Sequence, residues 1–188
     1  MKKILYSVAL AACCMGTMTS CSDFLDASNK SNVTAKQSFA TKEGLNNLVN
    51  NAYQHLQNVY AAPLFTSCFS AGTDMYADAR NKMNEALNTY ETLTPENTDI
   101  KNLYTYLYSG IRAANSVSYY AQTAQVDDKT KGQLVGEARV LAAYEYYLLV
   151  NNFGGVPIMK DFLTTADTGY PKSSAADVYA YIISELED

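Results

Sequence analysis

The chain has 188 residues, with 14 basic and 19 acidic side chains and a formal net charge of −5. That length suits one domain with a real hydrophobic core. The acidic balance repels phosphate backbones, which argues against a nucleic-acid partner.

Lys2 and Lys3 open the sequence, and an almost wholly apolar run follows from Ile4 to Met15. A charged start before a short apolar stretch is the layout of a secretory signal. The run is too short to span a bilayer, which takes about 20 apolar residues. Met18-Thr19-Ser20-Cys21 reads as a loose lipobox. Residues 1–20 are therefore expected to be a lipoprotein signal peptide, with Cys21 as the lipid anchor that holds the protein to a membrane. The alternative is an ordinary cleavage site beside a chance cysteine. Cys13 and Cys14 would leave with the signal, so Cys68 would be the one free thiol and no internal disulfide could form. Flanked by Phe65 and Phe69, Cys68 is expected to be a small buried hydrophobe. Cleavage would remove two lysines and no acid, leaving 12 basic and 19 acidic residues and a net charge of −7.

Residues 21–38 are polar and read as a flexible tether, and residues 39–188 as a helical domain. Thr41 caps a helix running to about Tyr60, with Leu45, Leu48, Val49, Ala52, Tyr53, Leu56 and Tyr60 on one stripe. Leu64 to Ala79 is expected to hold a second helix, broken by Gly72. Residues 81–97 read as a polar loop. The next helix starts at Thr98 or Asp99 and carries Leu103, Leu107, Ile111 and Ala114. A fourth runs from Asp127 or Asp128 to the "NNFGGVP" stretch, with Gly154 or Gly155 as its cap and Pro157 blocking continuation. Val140, Tyr144 and Tyr147 give it a second apolar face, expected to be sandwiched between neighbours. Ser174 and Asp177 form a capping box for a last helix. Val178, Tyr181, Ile182 and Leu186 line its apolar face, expected to lack a partner within the chain. The pattern is all-α: tetratricopeptide-like helix pairs forming an α-solenoid, expected to be incomplete at the C-terminus.

Little in the sequence carries bond-making chemistry. His55 stands alone, so no metal cluster is expected, and no nucleotide or hydrolase fingerprint occurs. Glu85, Glu91, Glu96 and Asp99 read as solvated loop acids rather than a glycosidase pair. The Gly132/Gly136 GxxxG spacing reads as chance. Glu137 and Arg139, adjacent on a helix, are expected to pair with other helices. Tyrosine is the unusual residue, with 16 copies and no tryptophan. Most are expected to pad helix seams with their hydroxyls at the edge. Tyrosines in or beside loops are better placed to stack on a sugar ring, and Tyr76, in "SAGTDMYADAR" with Asp74, Asp78 and Arg80, is one.

Five segments, in order, resemble the N-terminal portion of the SusD/RagB family: "SCSDFLD", "FATKEGLNNLVNNAYQHL", "LYTYLYSGIRAANSVSYYA", "GEARVLAAYEYYLLVNNFGGVPIM" and "YPKSSAADVYAYIISELED". The resemblance implies a tetratricopeptide-like fold and a surface-facing outer-membrane lipoprotein. Such a protein is a lid over a SusC-type TonB-dependent barrel and binds a glycan or oligosaccharide without cleaving it. It implies ligand contacts near Asp74, Tyr76 and Arg80, no cofactor and no catalytic residue. A helical scaffold lipoprotein without a small ligand is the alternative, and a surface glycosidase the poorest reading.

Overall fold

The computed structural model describes residues 34–61, 63–76, 85–165 and 169–187. The expected signal peptide, Cys21 and the greater part of the expected tether lie outside these residues, as does Arg80. Ala35–Asp188 form one compact unit, the helical body.

No strand occurs among the described residues of that body. The elements are α1 (Ala35–Ser38), α2 (Lys42–Tyr60), a π-helical turn (Thr66–Ser70), α3 (Glu85–Thr89), α4 (Thr98–Ala121), α5 (Asp128–Phe153) and α6 (Ala175–Glu187). Side-chain caps fix where the longer helices begin. Thr41 Oγ1 accepts from Gly44 N at 3.1 Å before α2. Asn97 Oδ1 accepts from Asp99 N at 3.0 Å and Ile100 N at 3.2 Å before α4. Asp127 Oδ1 accepts from Thr130 N at 3.0 Å before α5. Each bond satisfies a backbone donor that the first helical turn leaves unpaired. The expected capping box of α6 forms reciprocally: Asp177 N donates to Ser174 Oγ at 3.1 Å and Ser174 N to Asp177 Oδ2 at 3.3 Å. Gly154 ends α5 at φ +70°, its amide donating to Val150 O at 3.0 Å.

The long helices pack in sequence order: α2 on α4, α4 on α5, α5 on α6, with α2 also touching α5. The stripes read from the sequence supply the core. Leu45, Ala52, Leu107, Ile111, Ala138 and Leu149 have no measurable exposure. Gly132 and Gly136 have nothing within 4 Å of where a Cβ would stand, so their spacing marks no close helix approach.

Four expectations change. The last residues of the segment read as tether, Ala35–Ser38, are helical. Phe39 ties them down by packing on Tyr120, ring centroids 4.8 Å apart. The loop read at 81–97 contains α3, a short helix that buries Leu87 at 8% exposure. The apolar face of α6 has a partner within the chain: Val178 and Ile182 are buried against the α5 side of the core, while Leu186 stays exposed. On α5, Val140, Tyr144 and Tyr147 are exposed instead of sandwiched. The buried arc of that helix runs through Ala138, Leu141, Ala142, Glu145, Tyr146 and Leu149, which face α2, α4 and α6.

Candidate functional site

Asp74 and Tyr76 share one exposed turn, closed by Tyr76 N donating to Thr73 O at 3.4 Å. Thr73 Oγ1 donates to Ser70 O at 2.7 Å and ties the turn to the π-helical segment. Behind it, Gly72 adopts φ +74°, a left-handed conformation that glycine takes without strain. A Cβ there would lie 2.1 Å from the Tyr90 hydroxyl. Asn88 Oδ1 accepts from Gly72 N at 3.4 Å. The turn that carries Asp74 and Tyr76 is therefore backed by Asn88 and Tyr90, at and just beyond the end of α3, residues that sequence reading assigned to plain loop. Arg80, the third expected contact, lies outside the described residues.

A second concave region, not foreseen from the sequence, centres on Arg112 of α4. Three clefts, of about 340, 510 and 380 Å³, each include Arg112 in their walls. The first lies against Asn115, Asp161, Thr164 and Thr165. The second has Tyr104, Tyr108 and Tyr170 on its sides. The third, between α2 and α4, is lined by His55, Asn51, Ser109 and Phe162 among others. The Arg112 guanidinium sits 5.6 Å over the Phe162 ring, a cation–π contact that holds a flexible side chain in place.

The chain segment after α5 forms one wall of these clefts and is pinned by side chains from two helices. Tyr108 Oη donates to Pro157 O at 2.7 Å. Asn115 Nδ2 donates to Met159 O at 2.8 Å. Tyr146 Oη accepts from Met159 N at 2.7 Å and donates to Met159 O at 3.3 Å. Gly155 is needed because a Cβ would stand 2.2 Å from Ser173 O. The "Ala-Asn" and "Phe-Gly-x-Val-Pro" segments of the sequence are thus two sides of one joint.

Glu137 and Arg139 behave as expected: Tyr53 Oη on α2 donates to Glu137 Oε1 at 2.8 Å, and Arg139 Nε to Glu185 Oε2 on α6 at 2.8 Å. His55 is half-buried and its Nδ1 lacks a hydrogen-bond partner; burial lowers its pKa from the ordinary imidazole value. Cys68 is half-buried rather than fully so, and burial raises its thiol to about 11, keeping it protonated and unreactive. Tyr146 is fully buried and Tyr104, Tyr108 and Tyr181 pack against the core, as padding of helix seams requires, whereas Tyr53 and Tyr60, read on the α2 stripe, are exposed, like Tyr144 and Tyr147.

Sequence reading missed Glu145. It is wholly buried on α5, and neither carboxylate oxygen has a hydrogen-bond partner. Burial pushes its pKa up to about 9, so it is a neutral acid at pH 7. Gly110 of α4 makes its room, since a Cβ there would lie 1.7 Å from Glu145 Oε1. An acid inside "LAAYEYYLLV" was the available signal. The carboxyl lines none of the clefts at Arg112, so it is a structural feature of the helix seam.

Among the described residues no group of three or more His, Cys, Asp or Glu could hold a metal ion, and no helix is long and apolar enough to cross a membrane. The surfaces at Tyr76 and Arg112 offer aromatic faces, hydroxyls, amides and one cation, which is equipment for holding a polar ligand.

Residues 23–188 match a family model for SusD-like proteins, described as starch-binding and associating with the outer membrane. A curated relative, a SusD-like protein of Formosa agariphila, is 28% identical over 179 residues, covering 93% of this chain and 34% of its own length. The chain thus spans about a third of that relative. Among solved structures, the surface glycan-binding protein A of Bacteroides uniformis matches 77% of this chain and 33% of its own, at 24% identity and a TM-score of 0.63. A SusD-like protein of Bacteroides fragilis matches 80% of this chain and 29% of its own, at 21% identity and a TM-score of 0.61. At such identities these two likenesses speak to the fold, and they place the helix pairs described above in a tetratricopeptide-like, all-α frame.

Proposed function

The chain belongs to the SusD-like family, and from that premise we propose that it binds a glycan or oligosaccharide at the cell surface and passes it to a SusC-type TonB-dependent barrel. The observation that carries this reading is the match of the family model over residues 23–188, nearly the whole chain after the apolar start. Its role is binding without cleavage. Cys21 is the lipid anchor, residues 1–20 the signal that precedes it, and the segment after Cys21 is the tether. Two acyl groups on such a cysteine give a stable hold without a spanning helix. The tether lets the helical body rock against the barrel as a lid. Holding released sugar close to the pore then lets modest affinity suffice, because local concentration is high.

Asp74, Tyr76 and Arg80 form the first ligand contact. The Tyr76 ring offers a face for the C–H side of a pyranose, and its acidic and basic neighbours serve the hydroxyls. Two facts support this: Asp74 and Tyr76 are exposed on one turn, and that turn is held from behind by Asn88 and Tyr90. A preorganised turn loses less entropy on binding than a free loop.

Isothermal titration of the full-length protein against a panel of polysaccharides tests the reading. Saturable binding that Tyr76→Ala weakens about tenfold is the expected result. A flat titration against every saccharide, with Tyr76→Ala indistinguishable, would leave a helical scaffold lipoprotein in its place. Labelling with palmitate that is lost on Cys21→Ser tests the anchor, and copurification with a large outer-membrane barrel tests the partner.

A further inference from the structure

We propose that the cleft between α2 and α4, where Arg112 and His55 meet, is a second saccharide subsite selective for an acidic sugar, one bearing a carboxylate or a sulfate ester. The inference rests on the glycan-binding reading above and adds the charge of the ligand to it.

The chain carries more acidic than basic side chains, 19 against 14. Yet the described lining of this cleft of about 380 Å³ contains Arg112 and His55 and no acid. Arg112 makes no ion pair among the described residues; its one described contact is the Phe162 ring beneath it. A guanidinium presents five N–H donors in a planar fork that fits a carboxylate or sulfate in two-point contact. Held over an aromatic ring, that fork is preorganised and leaves its edge free for an anion.

The neighbouring groups suit a sugar ring. Phe162 and Tyr120 provide apolar faces, and Asn51 and Ser109 provide amide and hydroxyl partners. His55 forms part of the α2 wall of the cleft, while its Nδ1 is shut off from solvent and stays outside the ligand contacts. The adjoining cleft of about 510 Å³, with Tyr104 and Tyr108 in its walls and Arg112 shared, gives room for a second ring and also has no acid among its described lining. Asp161 lines only the first cleft, of about 340 Å³, beside Asn115, and there it would repel an anion, so the acidic group belongs on the His55 side of Arg112.

The test is isothermal titration of the full-length protein with three probes: tri-galacturonate for the carboxylate, a chondroitin sulfate tetrasaccharide for the sulfate ester, and neutral maltotriose. At least one acidic probe is expected to bind, and Arg112→Gln should weaken it about tenfold or more while leaving Tyr76-dependent binding of a neutral saccharide unchanged. Arg112 is exposed, so its substitution leaves the core intact, and an unchanged thermal melt of the variant verifies this. Arg112→Lys keeps the charge without the fork and should fall between the two. Acidic probes bound equally by Arg112→Gln and the parent, or only neutral saccharide bound by both, would overturn the proposal while the glycan reading stands. No binding to any saccharide would overturn the glycan reading itself.

Discussion

At one end of the helix stack, the start of α2 meets the end of α4 and the start of α5 through Ala52, Ala113, Ala114, Ala138 and Ala142, with Leu45, Leu48 and Leu141 among them. At the other end, the same three helices meet α6 and the segment after α5 through Leu107, Ile111, Tyr146, Leu149, Val156 and Val178. The first end is built of small aliphatic groups that let backbones approach. The second is built of large side chains, two of them tyrosines, Tyr108 and Tyr146, whose hydroxyls hold neighbouring chain in place. The difference separates two tasks. One end needs only to bring helices together, which apolar area does without direction. The other must also hold a loop that walls the Arg112 clefts, which takes directed hydrogen bonds.

Opposite changes should hurt the two ends most. Leu149 has no exposure, and Leu149→Ala should cost about 2–5 kcal/mol through lost burial and an unfilled cavity. Ala138 is equally buried at the small-residue end, and there the damaging change is enlargement: Ala138→Leu should cost about 1–3 kcal/mol by overpacking. Urea unfolding of each variant checks this. Similar tolerance of enlargement at both ends would erase the distinction.

Between the ends sits Glu145 against Gly110. Alanine is ordinarily the better helix former by about 1 kcal/mol. Here Gly110→Ala should instead destabilise, by about 1–3 kcal/mol, because the new Cβ would meet Glu145 Oε1 at 1.7 Å. Adding Glu145→Ala should recover much of that loss, a non-additivity that a double-mutant cycle reads directly. The same carboxyl gives a pH signature. Its folded pKa of about 9 lies above the ordinary carboxylate value, so between the two the folded state holds a proton that the unfolded state has released. The stability it confers is complete below the unfolded value of about 4.3, declines by about 1.4 kcal/mol per pH unit, and is gone once pH passes about 9. Glu145→Gln should flatten this decline in urea midpoints measured from pH 5 to pH 9.

Part of this architecture was legible in the sequence, and part was not. Helical periodicity exposed Leu45, Leu48, Val49 and Ala52 as a stripe, and capping chemistry marked Thr41, Asp127, Ser174 and Gly154, because both are local rules. Periodicity also implied that Val140, Tyr144 and Tyr147 were covered, since apolar spacing does not report whether a neighbour is present. Met83, Ala86, Leu87 and Tyr90 fall at helical spacing, a short signal outweighed by the polar residues between them and Pro95 after them, so the stretch reads as loop. At the candidate site, Tyr76 was legible as an aromatic among polar residues. Arg112 was not: the clefts around it are made by His55, Phe162 and Tyr170, which lie far apart in sequence. Glu145 was hidden for a related reason, as only the facing Gly110 shows that a full carboxyl fits inside the seam.

The smallest effect tests whether directed bonds distinguish the second end. Tyr146 Oη both accepts from Met159 N at 2.7 Å and donates to Met159 O at 3.3 Å. Tyr146→Phe keeps the buried ring and removes both bonds. The Met159 carbonyl would keep its bond from Asn115 Nδ2 at 2.8 Å, while the Met159 amide would lose its acceptor, at a cost of about 1–2 kcal/mol. Asn115→Ala should cost less, about 1 kcal/mol, because Tyr146 still serves the same carbonyl. With both changed, the carbonyl has neither donor, so the double variant should lose more than the sum of the single losses. Amide hydrogen exchange at Met159 gives the local readout: it should quicken in Tyr146→Phe while exchange at Ala52 and Ala138 stays slow. Equal quickening at all three would mean that the hydroxyl supports the whole stack, and the division of labour between the two ends would fall.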